Sequence, residues 1–234
     1  NMSIDINDPL GVCARQPETA TAFAHLLQGL LRPTEGSIMV DGSDINTFNL
    51  QHFRSSVALV DRTNHFFAGT IRDNFQRVLP NANNDRIAWA CGMADLQTAM
   101  DEINVTLDSD IDELEALGGE SFKLKLSLAR ALIRNPKILI LDDVISAMDS
   151  DSVLQFKKSF PKLSKGRTVV LISRNVYDLT ICKKIAFFEG PKLVQFGNSN
   201  DVIIEDGPTK KLLLKQLCVI NPSFEKHANE IVEA

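Results

Sequence analysis

Two acidic residues, Asp142 and Asp143, directly follow the apolar run Ile138–Leu141. This run lacks polar alternation, which is typical of a central strand that is covered on both faces of a sheet. Carboxylates at the end of such a strand are buried charges, and a buried charge needs a metal ion or a cationic side chain beside it. We therefore expect the chemistry of this chain to be centred on these two residues.

The elements that must position these acids alternate along the chain. The predicted strands are short apolar runs with abrupt ends: Leu10–Cys13, Ser37–Val40, Val57–Val60, Ile138–Leu141, Thr168–Ile172, Lys184–Phe188 and Lys192–Phe196. The predicted helices are Thr19–Leu31, Arg86–Met100, Phe122–Ile133 and Lys210–Leu217. We also expect Met2–Ile6 to lie within a sheet, as if the domain had been excised from a longer chain. Strands that alternate with helices indicate an α/β fold.

Composition narrows the possible partners. The 234 residues carry a net charge of -5 and no stripe of Lys and Arg, so we do not expect nucleic acid to be a partner. The four cysteines are scattered, and with the histidines they form no ligand pattern, which favours reduced thiols in the cytosol. No segment approaches the roughly 18 consecutive apolar residues of a membrane span. Any work at a membrane is therefore expected from the cytosolic side or through another part of a longer chain.

Three ordered segments carry a resemblance to a known family. They are Gly29–Ile38 followed by Asp41-Gly42, then Phe67–Asn74 with the sequence FAGTIRDN, and then Leu126–Asp143 followed by Ser146–Asp149. The first resembles the segment after the phosphate-loop helix of the ABC transporter ATPase domain. The second resembles the F-x-G-T-I-R-x-N segment of exporter-type members, and the third resembles the family's helix, Walker B strand and D-loop.

The resemblance implies a P-loop NTPase-like ABC ATPase domain. On this basis we expect an α/β nucleotide-binding core at 1–80 and 137–200, with a mixed sheet, an inserted helical subdomain at 81–136, and a C-terminal helical tail at 201–234. It implies ATP and Mg²⁺ as the family's cofactors. It also implies a transmembrane domain and a second nucleotide-binding domain as partners, at the cytoplasmic face of the plasma or inner membrane.

The phosphate loop of the resemblance is altered at most of its positions. Counting back from Leu30 places G-x-x-G-x-G-K-S/T on residues 14–21, where all three glycines are replaced. Pro17 has no N–H to donate, Glu18 brings a carboxylate, and Ala20 removes the lysine charge. A plain turn from strand to helix is the alternative interpretation of this loop. The candidate nucleotide-binding positions are Arg15, Pro17, Thr19, Ala20 and Thr21, of which Thr21 keeps a hydroxyl that could reach Mg²⁺.

The catalytic positions implied by the resemblance are also altered. Asp142 occupies the position of the family's Mg²⁺ carboxylate, and Asp143 stands where the family has the glutamate that activates water. A base displaced by about 1 Å can lower a rate on the order of 100-fold. Arg62 falls on the Q-loop glutamine, and Arg174 falls on the switch histidine, whose neutral acceptor an arginine cannot supply.

The signature motif has two possible alignments. Without a gap before Arg130, the family's serine falls on Gly119 and its glutamine on Phe122. If Gly118-Gly119 is instead the family's Gly-Gly pair, two extra residues follow it. The serine hydroxyl is lost in both alignments, and a bare helix start with two glycines is the alternative interpretation. The candidate positions here are Gly118, Gly119 and Glu120.

These replacements predict an impaired or inactive ATPase, although an active exporter ATPase with an unusual loop and an interaction module remain alternatives. We hypothesise that Arg62 and Arg174 turn inward and neutralise Asp142 and Asp143. Two other interpretations remain open at this stage. The arginines could replace the missing lysine and hold nucleotide, or they could be solvated.

Overall fold

The computed structural model combines a β-sheet with helices and describes residues 2–63, 65–112, 114 and 118–220. Its strands are β1 Leu10–Ala14, β2 Met39–Val40, β3 Ser43–Asp44, β4 Val57–Val60, β5 Ile138–Asp142, β6 Thr168–Ile172, β7 Lys184–Glu189 and β8 Lys192–Asn198. Its α-helices are α1 Pro17–Leu27, α2 Leu50–Ser55, α3 Ile71–Val78, α4 Asn84–Met93, α5 Leu96–Glu102, α6 Gly119–Leu132, α7 Ser150–Ser164, α8 Ser199–Ile204 and α9 Pro208–Ile220. Short 3₁₀ turns occupy Ile45–Thr47, Ile145–Ala147 and Val176–Ile181.

One sheet organises the molecule, with strand order β4-β5-β6-β1-β7-β8. The first five of these strands run parallel, and β8 pairs with β7 in the antiparallel direction. The predicted α/β class and mixed sheet are confirmed. The carboxyl ends of β5, β6 and β1 are neighbours at one edge, and ligand sites of α/β sheets lie beyond that edge.

Both faces of the sheet are covered, which explains the continuous apolar runs. Along β5, Leu139 and Leu141 belong to the large apolar cluster that includes side chains from helices α4–α7. Ile140 points to the opposite face and packs in a second cluster with Ala20 and Ala24 of α1. These side chains are all nearly inaccessible to solvent. Burial on both faces fixes the end of β5, and with it the position of the acids that follow.

The segment between β4 and β5 contains helices α3 to α6. The predicted helix Arg86–Met100 is wrong as a single element, because the chain breaks it into α4 and α5. Asp95 adopts a left-handed conformation there (φ 55°), which an α-helix cannot continue through. The boundaries of the core, the helical subdomain and the tail stay predictions, and residues 221–234 of the tail lie outside the described residues.

Helix α1 differs from its predicted range at both ends. It begins at Pro17, two residues before the predicted start, because the first turn of a helix needs no N–H from that position. It ends at Leu27 rather than Leu31, because Gly29 takes a positive φ of 64° that reverses the chain. Helix α6 begins at Gly119, three residues early, and the predicted helix 210–217 lies within the longer α9.

Two strand predictions need correction. Within Ser37–Val40 only Met39 and Val40 pair, in a small hairpin with β3 that closes through the left-handed Asp41-Gly42 turn. The segment 2–6 contains no strand, since Asn7 turns the chain at φ 65°. The predictions 57–60 and 168–172 are confirmed at both ends, and the four remaining runs extend by one or two residues. Among the described residues, no helix has the length and apolar character to cross a bilayer.

Candidate functional site

The turn between β1 and α1 is built as a helix start. Pro17 opens α1, and the N–H of Thr19 donates to the carbonyl of Gln16 at 3.1 Å. The turn is also tied to the β7–β8 hairpin, because Arg15 forms an ion pair with Glu189 at 2.7 Å. This N–H and this guanidinium are therefore already engaged within the protein, and Ala20, at the position predicted for the lysine, is a buried apolar residue.

Thr21 and Asp142 lie opposite each other, where α1 begins and β5 ends. The Thr21 hydroxyl donates to Oδ2 of Asp142 at 3.3 Å, so the first turn of α1 meets the end of β5. Burial raises the pKa of Asp142, while the hydrogen bond from Thr21 partly offsets this rise. The neighbouring carboxylates of Asp143 and Asp61 raise the same pKa further.

Asp143 lies between two arginines. Its Oδ2 is 3.4 Å from Nη1 of Arg62 and 3.6 Å from Nε of Arg174. The carboxylate is 13% exposed, whereas the two arginine side chains are 53% and 68% exposed. Its other oxygen, Oδ1, is buried and has no hydrogen-bond partner among the described residues. The inward-pairing hypothesis thus holds for Asp143.

Asp142, by contrast, forms no direct ion pair with either arginine among the described residues. Within the described part of the chain, Asp142 has no arginine within 4.0 Å, and its recorded partner is the Thr21 hydroxyl. The reason is positional. Asp142 ends β5 and faces α1, whereas Asp143 takes a left-handed backbone (φ 53°) that directs its side chain differently. Both arginines reach only the second acid.

Gln216 was missed by sequence reasoning, yet it fixes the segment that carries Arg174. Its Nε2 donates to the carbonyl of Arg174 at 2.6 Å, and its Oε1 accepts from the N–H of Val176 at 3.0 Å. A single amide on α9 thereby bonds to both sides of this segment. A glutamine among leucines of a predicted helix carries no signal for this role.

Asp178 was also missed, and it lies directly beneath the same segment. The Ser173 hydroxyl donates to its Oδ2 at 3.1 Å, and Lys157 lies 3.6 Å from its Oδ1. Burial raises the pKa of Asp178, and these two partners lower it again in part. Ser173 and Arg174 are therefore anchored from two sides, by α7 through Lys157 and Asp178 and by α9 through Gln216.

The candidate signature positions adjoin the carboxylate site through Arg62. Gly118, Gly119 and Glu120 line a depression together with Arg62 and the segment 146–149. Phe122 is buried at 4% exposure, so in the ungapped alignment the family's glutamine position is a core residue. Its ring packs so closely on Gly118 that a Cβ there would lie 2.7 Å from Cδ1 of Phe122. Leu117, the residue before this pair, lies outside the described residues.

The segment Phe67–Asn74 is held by a local network. Asn74 is fully buried, and its amide exchanges hydrogen bonds with the backbone of Phe67 at 2.8 and 2.9 Å. Thr70 and Asp73 form a reciprocal cap at the start of α3. Phe67 is 51% exposed under the guanidinium of Arg77. The network presents an aromatic residue on a hydrogen-bonded surface turn.

Comparison with known proteins decides the family. The ABC transporter family model matches residues 20–146, which is more than half of the chain. The chain belongs to the ABC transporter family. Members of this family bind ATP and Mg²⁺, and the resemblance identified in the sequence is confirmed.

Relatives of this ABC transporter domain are much longer proteins. ABC transporter B family member 3 of Dictyostelium discoideum is 30% identical over 82% of this chain and 13% of its own length. A multidrug resistance ABC transporter ATP-binding and permease protein of Lactococcus lactis is 29% identical over 87% of this chain and 37% of its own length. The chain thus spans well under half of these relatives. A bacterial Atm1-family ABC exporter solved with ATP bound superposes with a TM-score of 0.81, at 22% identity, over 91% of this chain and 38% of that one.

The ABC domain's own residues fit the family's cofactors only in part. Thr21 and Asp142 place a hydroxyl and a carboxylate within hydrogen-bond distance, which is a donor set suited to Mg²⁺. On the phosphate side, the small cavity beside Pro17 and Ala20 measures about 30 Å³ and has no lysine in its lining. The cation that lines it, Arg174, already pairs with Asp143. No group of three or more metal-ligating side chains occurs among the described residues.

Proposed function

We propose that this chain is the nucleotide-binding domain of an ABC exporter that couples or regulates transport while hydrolysing ATP weakly or not at all. The observation that carries this proposal is the pairing of Asp143. A general base must offer a carboxylate oxygen to the attacking water. One Asp143 oxygen lies between Arg62 and Arg174 at 3.4 and 3.6 Å, and the other is buried.

The replaced phosphate loop supports the same proposal. Tight phosphate binding by a P-loop needs backbone N–H donors on a Gly-rich turn and one lysine. Here Pro17 lacks an N–H, the Thr19 N–H is bonded to Gln16, and Ala20 carries no charge. The developing charge on a transferred phosphoryl group would lack the stabilisation on which this reaction depends.

The exporter assignment rests on sequence relatives and on the Phe67–Asn74 segment. One relative is named as both an ATP-binding and a permease protein, and another, of Drosophila melanogaster, is named multidrug resistance protein homolog 65. We infer a transmembrane domain as a partner, in the same or a separate chain, at the cytoplasmic face of the plasma or inner membrane. The exposed Phe67 turn is the surface proposed for that contact.

A second nucleotide-binding domain is the other proposed partner. In the family's head-to-tail arrangement, each ATP lies between one chain's phosphate loop and the other chain's signature. A homodimer of this chain would contain two poor sites. In a heterodimer, the partner's intact loop would face this chain's altered signature and would retain reduced turnover.

Phosphate release from Mg²⁺-ATP tests the proposal on the purified chain. We expect the wild-type chain to remain at the background rate. We also expect Asp143→Glu to remain there, because restoring the longer base adds neither a lysine nor free donors to the loop. Turnover above background in the wild type, increased on the order of 100-fold by Asp143→Glu, would show instead that only a displaced base limits the reaction.

A slow but genuine ATPase is the second candidate function. The observation that favours it is the retained Thr21–Asp142 pair, which keeps the Mg²⁺ side of the site in place. In this alternative the exposed guanidinium of Arg174 would leave Asp143 and contact phosphate. Mg²⁺-dependent turnover that Thr21→Val abolishes would support this candidate over the first.

A further inference from the structure

A cavity of about 800 Å³ lies between α9, the β7–β8 hairpin and the β1–α1 turn. This volume is within the range of about 300–1,000 Å³ that is typical of small-molecule sites. Neither Asp142 nor Asp143 lines it, but Arg15, Pro17 and Arg174 do, so it adjoins the carboxylate pair described above. We refer to it as the α9 cavity.

The α9 cavity carries excess positive charge. Its lining includes the cations Arg15, Arg174, Lys210, Lys211 and Lys215 but only two acids, Glu189 and Asp206. Both acids are already paired, Glu189 with Arg15 and Asp206 with Lys210, each at 2.7 Å. Among the residues that the structure describes, Lys211 and Lys215 form no ion pair, and both are exposed. Because they are four residues apart on α9, their charges lie on the same side of that helix.

The remaining lining is apolar. Phe187 of β7 is 2% exposed, whereas Val194 of the neighbouring strand β8 is 43% exposed. Leu212 and Leu214 of α9 also line the cavity and are partly buried. An inorganic ion would leave this apolar surface in contact with water, whereas a ligand with an apolar body would cover it.

We propose that the α9 cavity binds a small organic anion that has an aromatic or similarly apolar body. Lys211 and Lys215 hold its charged group, which is a phosphate, sulfonate or carboxylate, and the apolar body lies against Val194 and Leu214. The site shares Arg15 and Pro17 with the loop at 14–21, whereas Lys211 and Lys215 lie on α9. The proposal therefore does not depend on whether the chain hydrolyses ATP.

Arg174 connects this site to the carboxylate pair, because it lines both the α9 cavity and the small cavity beside Asp142 and Asp143. Its pairing with Asp143 is at 3.6 Å, and its side chain is 68% exposed, so the contact is weakly held. An anion in the α9 cavity competes with Asp143 for this guanidinium. A change in the environment of the Arg174 guanidinium therefore shows whether the cavity is occupied.

Calorimetric titration with phenyl phosphate tests the proposal on the full chain. We expect binding that the double variant Lys211→Gln/Lys215→Gln weakens about tenfold, since it removes two exposed charge contacts. The matched control is Lys158→Gln/Lys162→Gln, which removes two exposed lysines at the same spacing on α7 and leaves the affinity unchanged. The Nε–Hε NMR signal of Arg174 shifts on binding in the wild type.

Two further probes separate the charged and the apolar contributions. Phenol and inorganic phosphate each carry one half of the proposed chemistry, so both bind at least tenfold more weakly than phenyl phosphate. The proposal would be overturned if phenyl phosphate bound the two double variants equally well, or if it did not bind the wild type at about 10 mM. It would also be overturned if phenol or inorganic phosphate bound as tightly as phenyl phosphate. ATP itself falls within the proposed ligand class, so the proposed function is tested separately by phosphate release and by Mg²⁺-ATP titration of the Lys211→Gln/Lys215→Gln variant. The two proposals can therefore fail independently.

Discussion

Asp143 and Arg174 lie 3.6 Å apart, from Oδ2 to Nε, just beyond the ends of the neighbouring parallel strands β5 and β6. The backbone brings them together, because the N–H of Asp143 donates to the carbonyl of Ile172 at 2.9 Å. Arg62 reaches the same carboxylate oxygen from the end of β4. Two cationic side chains thus contact Asp143, the residue proposed to stand at the family's catalytic-base position.

The energetic coupling of Asp143 and Arg174 is measurable by a double-mutant cycle. We expect Asp143→Asn and Arg174→Gln to be coupled by about 0.5–1 kcal/mol in the free energy of unfolding, as for partly exposed ion pairs. Urea denaturation of the four proteins gives this value. Arg32 is an exposed arginine in a loop, and the cycle of Arg32→Gln with Asp143→Asn should be additive. Additivity in both cycles would show that Asp143 and Arg174 are not energetically coupled.

The amide of Gln216 is expected to stabilise the Arg174 segment. Gln216→Leu removes both hydrogen bonds, so we expect a loss of about 1–2 kcal/mol of unfolding free energy, together with faster hydrogen exchange at the Val176 amide. Urea denaturation and amide exchange by NMR check the two effects. Gln155→Leu, at an exposed position of α7, is the control and should change neither. Unaltered exchange at Val176 in the Gln216 variant would contradict the proposed restraint.

Asp142 is expected to reduce stability at neutral pH. Burial raises its folded-state pKa above that of the unfolded chain, so the native state keeps the proton to higher pH. Stability from this group is therefore present at low pH and is lost as pH rises through the folded-state pKa. We expect Asp142→Asn to be more stable than the wild type at pH 7, with a difference that shrinks on acidification.

Urea denaturation at several pH values between about 4 and 7 checks this sign. Asp85→Asn, at the exposed start of α4, serves as the control, and it should bring no gain at pH 7 because an acid near a helix N-terminus is favourable. The expectation would be contradicted if the Asp142→Asn protein were less stable than the wild type at pH 7. That result would show that the ionised carboxylate is stabilised by more than the hydrogen bond from Thr21.

Gly118 tolerates no side chain in this packing. A Cβ there would lie 2.7 Å from the ring of Phe122, so we expect Gly118→Ala to cost about 1–3 kcal/mol of unfolding free energy. Gly92, in α4, has nothing within 4 Å of an added Cβ, and Gly92→Ala should stabilise by up to about 1 kcal/mol through helix propensity. Thermal unfolding compares the two variants. Equal effects would mean that Phe122 moves aside freely.

The sequence predicts the core of this fold well because burial on both faces leaves a simple pattern. The runs 57–60 and 168–172 are strands with those bounds, and the residues after three strands meet at one edge as parallel pairing requires. Element ends were harder to predict. The break at Asp95 depends on one left-handed residue, for which the apolar spacing of 86–100 gives no signal.

The site was predictable only where its residues follow strands. Arg62 and Arg174 could be expected near the acids, yet the choice of Asp143 over Asp142 depends on the left-handed backbone at Asp143. Gln216 could not be found from the sequence, because its two bonds go to backbone groups that any residue would offer. Contacts between a side chain and a distant backbone leave no trace in residue types.

Calorimetric titration with ATP in excess Mg²⁺ tests the central claim most directly, and the Lys211→Gln/Lys215→Gln variant is used so that the α9 cavity does not contribute. The account predicts no heat of binding at concentrations up to about 1 mM, because the proposed phosphate loop at 14–21 contains neither a lysine nor a glycine. A saturable isotherm with a dissociation constant of about 1–10 μM would contradict it and would make this chain an ATP-binding domain with an unusual phosphate loop.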